Sequence, residues 1–285
     1  TRLSDSVDTE YALKGDLGRS FLTDGGEFTV QAGIKSRWRT KSYDMNGVFY
    51  GDYDGDYTLA DVLGQQTYRI TDIGPVASYS GATEFLLANL GNFEADPYES
   101  DLLSLPSDYS ADEDVLAGYL LGRYDSSTLR VIGGLRAERT SNELSGQLVA
   151  DDGDEVTDVI PVNVSRRYTD WLPSLTVRFQ PQERLVLRLA GYKSLVRPKL
   201  SKMVPRFTIN DDEEVEFGNP DLLPYRAWNA DASAEYYFSS NGAVSVGAFY
   251  KSVDNFIIDQ TLPDAAWRNI FRFNSSSQKC CYRLL

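Results

Sequence analysis

Hydrophobic and polar residues alternate with a period of two along long stretches of this chain. Residues 27–41, EFTVQAGIKSRWRTK, separate into an apolar set (Phe28, Val30, Ala32, Ile34, Trp38) and a polar set (Thr29, Gln31, Lys35, Arg37, Arg39, Lys41). That period predicts a β-strand. Fifteen residues at about 3.3 Å each reach about 50 Å, far beyond the five or six residues usual in a soluble sheet. The same alternation returns at 10–18, 115–124, 129–140, 168–179, 185–194, 228–238 and 243–251, so eight strands are expected. In 228–238 the apolar set is Trp228, Ala230, Ala232, Ala234, Tyr236 and Phe238, while Asn229, Asp231, Ser233 and Glu235 point the other way.

The connections are of two kinds. Short turn-like links lie at 22–26 (LTDGG), 125–128 (DSST), 180–184 (QPQER) and 239–242 (SSNG). Long links span about 44–112, 141–167 and 195–226. Short and long alternate strictly, which sends every short turn to one end of an antiparallel sheet and every long loop to the other. An outer-membrane β-barrel has this asymmetry, and in one the apolar set meets lipid while Lys35, Arg37, Arg39, Arg130, Arg136 and Glu138 face a wet lumen. Aromatic residues near strand ends (Trp38, Tyr124, Trp171, Trp228, Phe238, Tyr250) suit interfacial girdles. A soluble β-sandwich or lipocalin-like barrel, with the apolar face turned inward, reads from the same alternation.

Charge sharpens the asymmetry. The 285 residues carry 28 Lys plus Arg and 42 Asp plus Glu, a net −14. Between Asp44 and Asp114 stand 15 acidic residues and one basic residue, Arg69, and the rest balances at 27 against 27. The whole net charge therefore belongs to the first long link, which is long enough to carry helical or small β pieces such as TEFLLANL at 83–90. A nucleic-acid partner is excluded by this balance. The chain has no histidine and only two cysteines, Cys280 and Cys281, which excludes a disulfide framework and a zinc site. No run of about 18 apolar residues provides a transmembrane helix. No nucleophile–base pair built on histidine and no Gly-rich phosphate loop is present, so no enzyme activity and no cofactor are expected.

Several segments in order, GGLRAERT (133–140), DWLPSL (170–175), RP (197–198), GNPDLLP (218–224), EYYF (235–238) and GAFYK (247–251), resemble the C-terminal half of a TonB-dependent outer-membrane receptor barrel. The similarity is greatest to the subfamily of Caulobacter-like and Xanthomonas-like bacteria and extends over about residues 10–260. It implies an all-β antiparallel transmembrane barrel of 22 strands, of which this chain supplies about eight as a partial barrel without the plug domain. It also implies a location in the Gram-negative cell outer membrane, and as partners the membrane's lipid, the TonB complex acting through a plug missing from this chain, and a small solute such as a carbohydrate or siderophore. The implied function is energy-coupled uptake of a scarce solute, either a carbohydrate or a ferric chelate. The alternatives are a passive or structural small barrel, or a soluble sandwich that binds a partner. Residues 1–266 are read as barrel. The stretch 267–285 loses alternation and ends CCYRLL rather than on an amphipathic strand with a terminal aromatic, as a frame shift or truncation would leave it.

Within the acidic link, Tyr50, Asp52, Tyr53, Asp54, Asp56 and Tyr57 interleave aromatic faces with carboxylates. Rings that stack on a sugar and carboxylates that accept its hydroxyl hydrogen bonds make this a candidate solute-binding segment. Asp52, Asp54 and Asp56 also hold the alternate spacing of a calcium loop. Tyr57 stands where that loop needs glycine, however, and Leu63 where it needs a closing glutamate, so no metal is assigned. Asp211, Asp212, Glu213 and Glu214 read as a solvated edge, and Arg197-Pro198 and Gly218–Asp221 as chain-turning elements.

Overall fold

A computed structural model of the chain describes residues 2–151, 154–209, 215–262 and 280–284. In chain order its strands are β1 (Arg2–Thr23), β2 (Gly26–Gly47), β3 (Phe49–Tyr53), β4 (Phe93–Asp96), β5 (Tyr109–Asp125), β6 (Leu129–Asp151) and β7 (Val156–Gln182). They continue with β8 (Leu185–Val196), β9 (Phe207–Ile209), β10 (Val215–Phe217), β11 (Tyr225–Ser239), β12 (Gly242–Asp254), β13 (Ile258–Leu262) and β14 (Cys280–Leu284). Helices α1 (Tyr79–Ala88) and α2 (Pro97–Ser104) lie between β3 and β5, and α3 (Leu200–Met203) follows β8.

Eight strands form one sheet in the order β1-β2-β5-β6-β7-β8-β11-β12. All eight alternating segments of the sequence are among them. Two small sheets accompany it, β3 with β4, and β13-β14-β10-β9. The residues form two compact units: Met45–Leu105 with Val149–Val159 and the extreme N-terminal residues, and Asp5–Asp44 with Pro106–Leu148 and Ile160–Leu285. The second unit is the wall. No plug domain is apparent among the described residues.

Short turns close β1-β2, β5-β6, β7-β8 and β11-β12 as the alternation requires. The expected link 141–167 is different: β6 runs on to Asp151 and β7 begins at Val156, so the connection is a long hairpin and not a loop. Its apolar positions change face: Leu144, buried under the strap that follows β8, belongs to the set that carries Arg136 and Glu138 earlier on β6, so the alternation of 129–140 does not continue in phase and the strand cannot be read from it. The remaining long connections, 48–108 and 197–224, carry their own short elements, and α1 overlaps the expected helical piece at 83–90. Of the 267–285 tail, 267–279 and 285 lie outside the described residues.

Pairing register fixes the two faces. Opposite Arg37, Arg39 and Lys41 on β2 stand Val115, Glu113 and Ala111 on β5, and opposite these stand Thr140, Asn142 and Leu144 on β6. The other face carries Ile34, Leu116, Leu120, Leu135, Leu175, Leu189, Val244 and Val246, all exposed. A soluble sandwich would cover that face with a second sheet, and nothing among the described residues covers it. Exposed aromatics bracket the band: Phe28 and Trp38 on β2, Phe179 and Trp171 on β7, Phe238 and Trp228 on β11. Eight to ten residues at about 3.3 Å, on strands tilted about 40°, rise about 20 to 25 Å, the height of the apolar band of a membrane barrel.

The packed core lies on the opposite, polar face. Leu200, Met203 and Val204, in the strap that follows β8, pack with Leu222 on Tyr109, Ala111 and Leu144. Two glycines let the strap approach this closely. A Cβ on Gly146 of β6 would strike the carbonyl oxygen of Pro205, and one on Gly218 that of Val204. The turn at Gly218–Asp221 then returns the chain to β11, with the amide of Asp221 donating to Asn219 Oδ1 at 2.9 Å. Leu144 is 1% exposed. Replacing it with alanine is expected to lower unfolding stability by about 2–4 kcal/mol, from lost burial plus the cavity left under Met203. A urea titration of the receptor that carries this segment, folded in micelles, checks this, and a cost under ~1 kcal/mol would mean that the strap does not pack on the wall.

Candidate functional site

Two features of the chain have functional chemistry, and each lies within one unit. The first is the polar face of the wall. Arginine and glutamate or aspartate on neighbouring strands meet here as ion pairs, since a charge pointing into a half-enclosed face needs a partner within reach. Arg37 pairs with Glu113, and its other end lies 3.7 Å from Glu10. Arg39 holds Asp8 through two hydrogen bonds of 2.8 and 2.6 Å. Arg136 bonds Glu138 at 2.6 Å, and Arg130 pairs with Asp125. Tyr119 donates to Asp16 at 2.5 Å and accepts from Gln31 at 2.9 Å. Further along, Arg188 pairs with Glu235, which also accepts from Tyr237 at 2.9 Å. By register Lys35, Arg37, Arg39, Arg130, Arg136 and Glu138 all fall on this one face.

The hub of the face is a residue that sequence reasoning assigned only a structural turn. Arg197, the first residue after β8, donates to Glu138 at 2.5 Å and to Thr140 Oγ1 at 3.1 Å, and lies 3.8 Å from Glu113. Glu113 is 3% exposed, so two guanidinium groups, from Arg37 and Arg197, answer one buried carboxylate. A strand-end Arg-Pro carries no signal of that partnership, because its acceptors stand 59 and 84 positions earlier. Arg206, at the far end of the strap, lies over the stacked rings of Tyr109 and Tyr43, 4.9 and 5.9 Å from their centroids. Arg226 bonds Asp170, itself 2% exposed, at 2.5 Å.

The second feature is the acidic insertion of the other unit. Here β3 pairs with β4, placing Tyr50 opposite Ala95 and Tyr53 opposite Phe93. Tyr53 packs on Phe93 and Phe85 with ring centroids 4.6 and 5.5 Å away, and Tyr57 packs on Phe85 at 4.8 Å. Two of the three tyrosines therefore build an aromatic core for the insertion. Asp52, Asp54 and Asp56 are exposed, with Asp52 in the left-handed region at φ 37°. They do not converge: among the described residues no group of three or more Asp, Glu, Cys or His is placed to hold a metal ion. The run Asp211–Glu214 lies outside the described residues. Two other carboxylates of the insertion organise backbone. Asp61 accepts from the amide and hydroxyl of Thr58, both at 2.8 Å, and Asp72 accepts from the Gly74 amide and from Gln66 at 2.8 Å. These hydrogen bonds hold both carboxyls below the usual aspartate range.

The family model described as TonB dependent receptor-like, beta-barrel matches residues 2–275. The chain belongs to this TonB-dependent receptor family. No curated protein sequence matches it. Among solved structures it resembles the ferric-catecholate import receptor Fiu of E. coli K12, with a TM-score of 0.54 at 12% identity over 88% of this chain and 32% of that one. It also resembles the Serratia marcescens hemophore receptor HasR, solved with its hemophore HasA and heme, with a TM-score of 0.54 at 15% identity over 98% of this chain and 37% of that one. The copper transporter OprC matches with a TM-score of 0.50 at 14% identity, over 89% of this chain and 31% of that one. The chain thus spans about a third of the length of these receptors, and at such identities the likeness establishes the fold.

Two predictions follow from this geometry. Arg197→Met strands Glu138 beside one remaining arginine and should cost about 3–5 kcal/mol in urea unfolding, with Arg197→Lys recovering part of the loss. A cost within ~0.5 kcal/mol would remove Arg197 from the hub. Carboxyl NMR titration should place Asp61 and Asp72 below the unfolded value of about 3.9. A depressed folded pKa contributes stability above the unfolded pKa and loses it as pH falls through the folded one. The turns at Thr58–Asp61 and Asp72–Gly74 should therefore persist at neutral pH and loosen only in strong acid, and normal titration midpoints would refute the assignment.

Proposed function

We propose that the chain is a wall segment of a TonB-dependent receptor in the outer membrane of a Gram-negative bacterium, taking up a scarce small solute. One observation carries this reading: a single sheet with an exposed apolar band edged by aromatics on one face and a network of ion pairs on the other. In lipid, backbone groups must be paired between strands and the outward side chains must be apolar, while the inward face of a wide barrel stays polar. Lys35, Arg37, Arg39, Arg130, Arg136 and Glu138 then line the lumen. The strap 197–206, pinned on the same face, narrows it.

In this sheet β1 and β12 each have one neighbour. A membrane wall with open edges is untenable, so further strands complete the barrel, and a plug elsewhere in the same protein is the element on which TonB acts. The acidic insertion belongs to one of the long connections, which in this reading are the external ones. Its charge repels anionic ferric chelates and tolerates neutral or cationic solutes, which favours a carbohydrate-like or cationic cargo, with Tyr50 and the exposed carboxylates Asp52, Asp54 and Asp56 as contacts.

The test uses the receptor that carries this segment, in its own bacterium. It is expected in the outer-membrane fraction, and uptake of its solute should fall to background when TonB is deleted. Uptake that persists without TonB would replace this reading with that of a passive pore. The 285-residue chain alone, in vesicles, is expected to give no uptake.

A further inference from the structure

On the apolar face between β5, β6 and β7 the structure contains an open groove of about 480 Å³. Its floor is made by residues with almost no side chain: Gly118 and Gly122 on β5, Gly133 and Ala137 on β6. Register makes the reason plain. Gly122 stands opposite Gly133, and Gly118 opposite Ala137, with the exposed pair Leu120 and Leu135 between them. Trp171 forms one wall and is 58% exposed, an unusual state for an indole that could have packed onto the glycines. A Cβ on Gly118 would meet nothing closer than 3.9 Å, so the absent side chain is not required by packing against the sheet.

Directly above the groove the same face changes chemistry. Arg139, two residues beyond Ala137 on β6, stands opposite Leu116, and Arg167 on β7 reaches Ser141 Oγ at 3.3 Å. Both are exposed, and among the described residues neither guanidinium is paired with a carboxylate. Every arginine described above on the polar face has an acidic partner or an aromatic one. The nearest carboxylate on this outward face is Asp114, opposite Ser141, followed one step further from the groove by Asp112 and Glu143, which face each other. The two arginines thus stand between an apolar groove and an acidic rim, at the level where an interfacial aromatic girdle passes.

We propose that this surface binds one phosphate-bearing lipid of the surrounding leaflet, its acyl chain in the glycine-floored groove against Trp171 and its phosphate on Arg139 and Arg167. The proposal rests on the reading that the apolar face meets lipid, and adds to it a fixed, charge-selective site. The occupant follows from position. A groove inside the lipid-facing band is filled by hydrocarbon, and two unpaired guanidinium groups at its upper end fit a phosphate, which arginine binds through paired N–H donors. Uncharged headgroups would leave them unpaired at the interface.

The experiment is native mass spectrometry of the receptor that carries this segment, in detergent micelles, titrated with bisphosphorylated lipid A and with its dephosphorylated analogue. The wild type should hold the phosphorylated lipid at least about tenfold more tightly. Arg139→Gln with Arg167→Gln should abolish that preference, whereas Arg139→Lys with Arg167→Lys should keep most of it. Gly118→Leu, which fills the groove without meeting the backbone, should weaken both lipids alike, and circular dichroism confirms that each variant keeps its strands. Equal binding of the two lipids by the wild type, or an unchanged preference in the glutamine variant, overturns the site while leaving the membrane reading intact. A Gly118→Leu effect on self-association in place of lipid binding would assign the groove to a second copy of the chain and overturn the proposal too. Failure of the chain to bind any lipid or detergent belt would instead strike the membrane reading itself.

Discussion

Backbone hydrogen bonding between neighbouring strands is the constraint on which everything else here depends. A strand that crosses hydrocarbon has no water to satisfy its amides and carbonyls, so each must find a partner on the next strand, and the register of one pair fixes the register of the next. Once Arg37 stands opposite Val115, and Val115 opposite Thr140, the face of every residue on three strands is settled. A slip of one residue would turn Ile34, Leu116 and Leu135 onto the charged side and the arginines into lipid.

Against that fixed frame the polar face solves a second problem, how to keep many charges on a half-enclosed surface. Its solution is cross-strand pairing, with Glu113 answered twice and Arg197 brought in from outside the sheet. The strap that carries Arg197 is held by two chemistries at once, ionic at its start and apolar through Leu200, Met203 and Val204, with Arg206 on the tyrosines at its end. Such a strap behaves as part of the wall. The acidic insertion is built otherwise, around Tyr53, Tyr57, Phe85 and Phe93, and keeps its carboxylates outward.

These arrangements divide the surfaces of the chain by role. On the polar face the buried carboxylates Glu113 and Asp170 are each answered by arginine. On the apolar face Lys193 lies over the Trp228 ring, whereas Arg139 and Arg167 have neither a carboxylate nor a ring among the described residues, and it is this contrast that gives the outward site its meaning. The insertion between β2 and β5 carries much of the net negative charge of the chain.

The sequence by itself determined the eight wall strands, their two faces and the short turns between them, because a period of two in hydropathy is a direct image of a strand with unlike surroundings on its sides. It also located the acidic insertion, since charge adds up along the chain without reference to folding. Where the apolar positions of a strand change face that image breaks, as at Leu144 under the strap, and so 141–167 reads as a loop although β6 and β7 run through it. Only the tertiary structure decided the rest. Arg197 meets Glu138 and Glu113 across 59 and 84 residues, Tyr53 and Tyr57 pack on Phe85 about 30 residues away, and glycines from two strands line up into one groove. Contacts between positions so far apart depend on strand register and on the path of the strap, and neither is written in any local pattern of residues.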